Sequence, residues 1–176
     1  MTNRKVIELK NTKDILDKMV LQVLERVSTK VEDLVVIGIK TGGAMLAKKL
    51  SETLIQKTGI DHPLGLLDIT LYRDDIGRSF SQPIVKTTEI NFNISEKWII
   101  LVDDVIFTGR TIRAALDSIM DLGRPSCVTL AVLVDRGHRE LPIHPDIVGM
   151  YIETSYQECI DVVFKEDGTP WKIYFK

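Results

Sequence analysis

Trp98–Leu116 reads WIILVDDVIFTGRTIRAAL, and its character changes in a fixed order. Trp98–Val102 is an apolar run with the length and composition of a strand buried on both faces. Two carboxylates, Asp103 and Asp104, stand where that run ends. Burying a carboxylate is costly unless it is paired or hydrogen-bonded, so these acids are candidate ligands for hydroxyls, a cation or Mg²⁺. Thr108-Gly109-Arg110-Thr111 follows and opens a helix predicted over 110–121, with Ile112, Leu116, Ile119 and Met120 on one side. Gly123 and Pro125 are its stop signals. Gly109 lets backbone amides approach a ligand closely, and the helix start offers unpaired N–H groups and a partial positive charge. Thr108 and Thr111 add hydroxyls, and Arg110 adds charge. Acids for sugar hydroxyls followed by an anion cradle describe a site for a phosphorylated sugar. A plainer reading, with the acids ending the strand and Thr-Gly making an ordinary turn, stays open on these residues alone.

Outward from this stretch the same alternation repeats. Val6–Leu9 is a short strand, and Asn11 or Thr12 can cap the helix after it. In that helix Ile15, Leu16, Met19, Val20, Val23, Leu24 and Val27 form one apolar stripe. Leu34–Ile39 (LVVIGI) is a second doubly buried strand, broken by Thr41-Gly42-Gly43 before a helix over 44–56. Strands are predicted at 65–72, 128–134 and 147–152. The segment 73–93 is polar, with Gly77 and Pro83, and reads as a flexible arm or hairpin. Asp167-Gly168 turns a C-terminal hairpin within 153–176, and Pro170 weakens the start of its second strand. Apolar strands alternating with helices predict an α/β fold, a mostly parallel sheet flanked by helices, as one domain over 1–176. Ligands bind such sheets at the carboxyl ends of strands.

Composition narrows the class. The 176 residues, 44% hydrophobic, suffice for one core, and a net charge of −2 does not mark a bulk nucleic-acid binder. Cys127 and Cys159 lack CxxC spacing, and the three histidines, His62, His138 and His144, have no metal-ligand spacing. Neither a signal-peptide run nor a membrane-length apolar stretch occurs, so a cytoplasmic protein with reduced thiols is expected.

Lys40-Thr41-Gly42-Gly43 also follows a buried strand and precedes a helix, so it can bind an anion or be only a tight turn. Gly38 and Gly43 have Walker A spacing, but Ala44-Met45 follows in place of Lys-Ser/Thr, and no GxGxxG follows any strand.

The order apolar strand, two acids, Val105-Ile106-Phe107, Thr108-Gly109-Arg110-Thr111 resembles the signature of type I phosphoribosyltransferases for 5-phosphoribosyl-1-diphosphate (PRPP). The resemblance implies that fold, with a flexible loop and a small hood. It implies that Asp103 and Asp104 hold the ribose hydroxyls and Thr108–Thr111 the 5′-phosphate. The Lys40–Gly43 loop, often with a cis non-proline peptide in that family, would hold the diphosphate, with Mg²⁺ bound alongside PRPP.

A longer resemblance is more specific. Asp68–Asp75 (DITLYRDD), Met120–Pro125 (MDLGRP) and Leu130–Pro142 (LAVLVDRGHRELP) look like the PyrR family. Its members attenuate pyrimidine operons by binding leader RNA and convert uracil and PRPP to UMP. That resemblance implies Val134, Asp135, Arg136 and Gly137 beside the uracil. Tyr72, Arg73 and Asp74 would begin the loop that closes over PRPP. Lys18, Arg26, Arg139 and His144 would lie on an RNA face, in a homodimer or higher oligomer responding to UMP or UTP. Phe107 stands where 6-oxopurine enzymes usually carry Asp, which argues against hypoxanthine and guanine.

Several positions depart from the family. Gly42 replaces a usual Arg. Asp17, Lys18 and Leu21 stand where Thr, Arg and His are favoured, and His144 and Met150 where Arg and Lys are usual. The expectation is a bifunctional protein with weaker RNA affinity than its family. Its rivals are a nucleotide-sensing regulator with little catalysis and a uracil phosphoribosyltransferase that has lost RNA recognition.

Overall fold

Period-two burial within the apolar runs explains the layers. The computed structural model describes residues 5–72 and 88–176. In β2 (Leu34–Ile39) every residue is buried. Leu34 and Val36 join one core cluster, and Val35, Ile37 and Ile39 join the other. The same split divides Ile100 and Val102 from Ile99 and Leu101 in β4 (Trp98–Ile106), and Ala131 and Leu133 from Leu130 and Val132 in β5 (Cys127–Asp135). Strands with two apolar faces need cover on both sides. Helices α1 (Thr12–Val27) and α2 (Gly42–Thr58) supply Met19, Val23, Leu46 and Leu50 to one cluster. Helix α3 (Arg110–Leu122) supplies Ile112, Ala115 and Ile119 to the other.

With β3 (Leu64–Leu67) and β6 (Ile147–Tyr151), these strands form a five-stranded sheet in the order β3-β2-β4-β5-β6, parallel throughout. A second, antiparallel sheet is the hood. There β1 (Val6–Glu8) and β7 (Ile160–Phe164) flank β8 (Pro170–Phe175). Pro170 opens β8, a position where a missing N–H is tolerated. No helix among the described residues is long and apolar enough to cross a membrane.

Three local expectations change. Helix α2 begins at Gly42, two residues earlier than its apolar pattern indicates. The predicted strand over 65–72 stops at Leu67, because the Asp68 carboxylate accepts hydrogen bonds from the Thr70 amide (2.9 Å) and hydroxyl (2.5 Å). That local bonding turns the chain into a 3₁₀ turn at Thr70–Tyr72. Neither Asn11 nor Thr12 caps α1 through its side chain. Thr12 instead donates to the carbonyls of Leu9 (3.1 Å) and Pro170 (2.9 Å), tying the helix start to the hood. Arg73, Asp74 and most of the expected arm lie outside the described residues. Where the chain is described again, Glu89 pairs antiparallel with Leu66.

Candidate functional site

The carboxyl ends of β3, β2 and β4 meet in a cleft of about 300 Å³. Its walls are Ile39–Gly42, Asp68–Thr70, Asp103–Val105 and Thr111. Thus the two loops singled out in the sequence share one hollow. A larger hollow of about 460 Å³ runs along α2 beside His62, away from the paired acids.

Strand β4 does not end at the acids but continues to Ile106, because Val105 and Ile106 pair with Val134 and Asp135 of β5. Asp103 is buried at 6% exposure, and its Oδ1 accepts the Asp104 amide at 3.1 Å. Asp104 Oδ1 accepts the Val105 amide at 3.0 Å. Burial, then the neighbouring Asp104 charge, holds the Asp103 carboxyl well above the usual range. Burial also raises Asp104. Such a pair favours a shared proton, a bound cation or donating hydroxyls.

Opposite the acids, the Lys40–Thr41 peptide is cis. A methyl added at Gly42 would overlap the Asp104 carboxylate, and one at Gly43 would lie 2.5 Å from the Val102 carbonyl oxygen. Backbone thus fixes glycine at 43, whereas at 42 any side chain would have to displace the Asp104 carboxylate. Lys40 Nζ contacts Glu89 at 2.6 Å. Beyond the acids, Gly109 has φ +91°, a left-handed conformation suited to glycine, and it precedes the first turn of α3.

The turn after β5 is organised by two arginines. Arg136, buried at 5% exposure, lays its guanidinium 3.9 Å from the Phe107 ring centroid. It donates to Thr154 Oγ1 and the Ser155 carbonyl, both at 3.0 Å, and to the Tyr156 carbonyl at 3.4 Å. Arg139 donates to Asp135 Oδ2 (2.6 Å) and to the carbonyls of Phe107 (2.8 Å), Gly137 (2.9 Å) and Ile143 (3.0 Å). Its guanidinium is thus tied internally at four acceptors. Val134 is wholly buried in the core, so its side chain cannot line a ligand site.

Tyr156 was not legible in the sequence, where it is one aromatic in the polar stretch SYQE. Its ring lies 5.2 Å from Phe107 and 5.8 Å from His138 between centroids. These rings wall the side of Phe107 nearest the hood. His138 Nε2 lies 2.7 Å from the Thr154 carbonyl, which can only accept, so that nitrogen carries a proton.

Known proteins bear on this geometry. Residues 6–167 match the model of the phosphoribosyl transferase domain. A hypoxanthine-guanine phosphoribosyltransferase structure from Bacillus anthracis covers 99% of this chain and 100% of its own at TM-score 0.70. At 20% identity that likeness shows the fold alone. The sequence relatives go further. "Bifunctional protein PyrR" of Geobacter sp. (strain M21) is 49% identical over 172 residues, 97% of this chain and 96% of the relative. The protein of the same name from Enterococcus faecalis (strain V583) is 48% identical over 169 residues, 96% and 94% of the two chains.

The chain belongs to the PyrR family.

Within that PyrR frame the surface residues expected to touch RNA differ in their surroundings. Lys18 and His144 are exposed. Arg26 pairs with Asp146 at 3.2 Å, and Asp17 pairs with Lys57 at 3.0 Å. Met150 packs against the core rather than standing free in solvent.

Proposed function

We propose that this PyrR-family chain transfers the phosphoribosyl group from PRPP to uracil and acts as a nucleotide-responsive RNA-binding regulator of pyrimidine genes. The observation that carries the enzymatic half is the cleft joining the Lys40–Gly42 loop to Asp103, Asp104 and Thr111. In this reading the amides of Lys40–Gly43 face the diphosphate, and Asp103 and Asp104 accept from the ribose hydroxyls. Residues Val105–Thr111 wrap the 5′-phosphate, and Asp135–Gly137 lie beside the base. The bond from C1′ to the diphosphate oxygen breaks as that from C1′ to uracil N1 forms, and the N1 proton leaves to the departing diphosphate or to water. The buried acids stabilise the positive charge that builds on the ribose between the two events.

Phe107 has no proton to give or take, and its ring is covered by Arg136. By the family resemblance a 6-oxopurine enzyme carries a titratable Asp at this position, so Phe107 favours the pyrimidine reading. Among the described residues no group of three or more His, Cys, Asp or Glu could hold a metal. Asp103 and Asp104, raised by burial, suit the arrangement in which Mg²⁺ is held by one or two carboxylates and substrate oxygens. When bound, the ion supplies charge that offsets the departing diphosphate.

Family membership supports the regulatory half. The ion pairs at Arg26 and Lys57 lower the positive charge available to phosphates, so RNA affinity is weaker than the family's. The test is diphosphate release from PRPP and Mg²⁺ with uracil, hypoxanthine, guanine and adenine in parallel, beside Asp104→Asn. Release with uracil alone, lost in the variant, is expected. UMP binding without turnover of any base would leave a nucleotide-sensing regulator instead.

A further inference from the structure

Tyr156 belongs to the hood side of the molecule, and Arg110 to the first turn of α3. One carboxylate joins them. The Tyr156 hydroxyl donates to Glu140 Oε1 at 2.5 Å, and Arg110 Nε donates to Glu140 Oε2 at 2.7 Å. Glu140 is itself seated on the phosphate-side loop, since its amide donates to the Thr108 carbonyl at 2.9 Å. The phenol end is seated as well, because Arg136 holds the Ser155 and Tyr156 carbonyls and the Tyr156 ring packs on Phe107. Both outer partners also reach solvent. Tyr156 is 56% exposed, and the Arg110 side chain is 49% exposed.

We propose that Tyr156 is a positioning residue which, through Glu140 and Arg110, couples the base side of the site to the 5′-phosphate side. The carboxylate is planar and rigid, so fixing one partner narrows the positions of the other. A phosphate cradled at Thr108–Thr111 draws Arg110 into one orientation and, through Glu140, orders the phenol. A flat base against the Tyr156 ring does the reverse. Whichever ligand part arrives first bears the cost of ordering these exposed side chains, and the second binds tighter. The ligand class favoured is one carrying both a base and a 5′-phosphate, a nucleoside monophosphate, over either part alone. This rests on the proposed placement of the 5′-phosphate at Thr108–Thr111 and of the base beside Asp135–Gly137.

The test uses ribose 5-phosphate, which has no base, bound to the whole protein and followed by calorimetry. A side chain that only touches the base cannot alter that affinity. Tyr156→Phe keeps the ring and removes only the hydroxyl. It is expected to weaken ribose 5-phosphate binding about fivefold with an unchanged melting temperature. In a Glu140→Gln background the same change is expected to add little. Ribose 5-phosphate affinity in Tyr156→Phe within about twofold of the unaltered protein would overturn the coupling. Uracil turnover is measured beside it and bears on the substrate alone. If uracil is not turned over while Tyr156→Phe still weakens ribose 5-phosphate binding, the substrate reading fails and the coupling stands.

Discussion

Asp104 lies directly over the α-carbon of Gly42, so close that no side chain at 42 could coexist with the carboxylate where it is. The loop after β2 and the acids at the end of β4 are thus one fitted unit, although they are distant in sequence.

Gly42→Ala therefore moves Asp104. A fall in kcat/KM for PRPP of about tenfold is expected, which is about 1.4 kcal/mol of transition-state stabilisation. The melting temperature should barely change, because the displaced carboxylate lies at the cleft and not in the core. An Arg at 42, usual in the family, meets the same overlap, so Gly42→Arg is not expected to raise activity. Steady-state kinetics beside a thermal melt decide the matter, and unchanged kcat/KM in Gly42→Ala would refute it.

Asp103 weakens the fold that it serves. Its folded-state pKa is raised by burial and by Asp104, above the usual 3.8. The folded protein then keeps a proton that the unfolded chain has released, so stability falls as pH rises through the folded value. Asp103→Asn should melt higher than the unaltered protein at about pH 8, with the gain shrinking as pH falls and vanishing toward about pH 3, where the carboxyl is neutral folded and unfolded. Turnover with uracil should be lost. A variant that melts lower at every pH would count against this account.

His62 acts in the opposite pH direction. It is buried, and burial lowers its pKa from 6.5. Below that value the unfolded chain takes up the proton more readily than the folded one, so stability falls with falling pH. His62→Leu should flatten the melting temperature between about pH 7 and about pH 5. An equally steep profile in the variant would remove His62 from the explanation.

Arg136 is a clamp, and lysine cannot replace it. Arg136→Lys loses the planar fork that reaches Thr154 and the Ser155 carbonyl and that stacks on Phe107. A stability loss of about 2 kcal/mol is expected, from part-buried carbonyls left without a donor. Hydrogen exchange should quicken at 154–156 before it quickens in the sheet. Unaltered exchange there would mean the segment is held by other contacts.

Continuous apolar runs made the central sheet legible. Leu34–Ile39 and Trp98–Val102 can only be strands covered on both faces, and the acids and Thr-Gly after the second run marked the site. The hood was less legible. The partner of Val6–Glu8 is β8, at the other end of the chain, and a three-residue strand carries no periodicity that names its neighbour. The strand over 65–72 was overdrawn because one Asp68 side chain outweighs the apolar character of Ile69 and Leu71. The bracing contacts of Arg136 and Arg139 were not legible either, since sequence does not say which carbonyls an arginine will reach. Tyr156 carried no signal because its meaning lies in contacts with Phe107, His138 and Glu140, which the fold alone brings together.

The pairing of β1 with β8 sets a rule for the ribosome. Val6–Glu8 is translated well before its only strand partner among the described residues, Pro170–Phe175. At ordinary elongation rates the first strand waits roughly ten to thirty seconds for its neighbour. A message cut short before Pro170 would still encode both loops and the paired acids, but would leave that strand without a mate. The hood thereby distinguishes copies that carry Pro170–Phe175 from those that lack it, and the latter should be the preferred prey of cellular proteases.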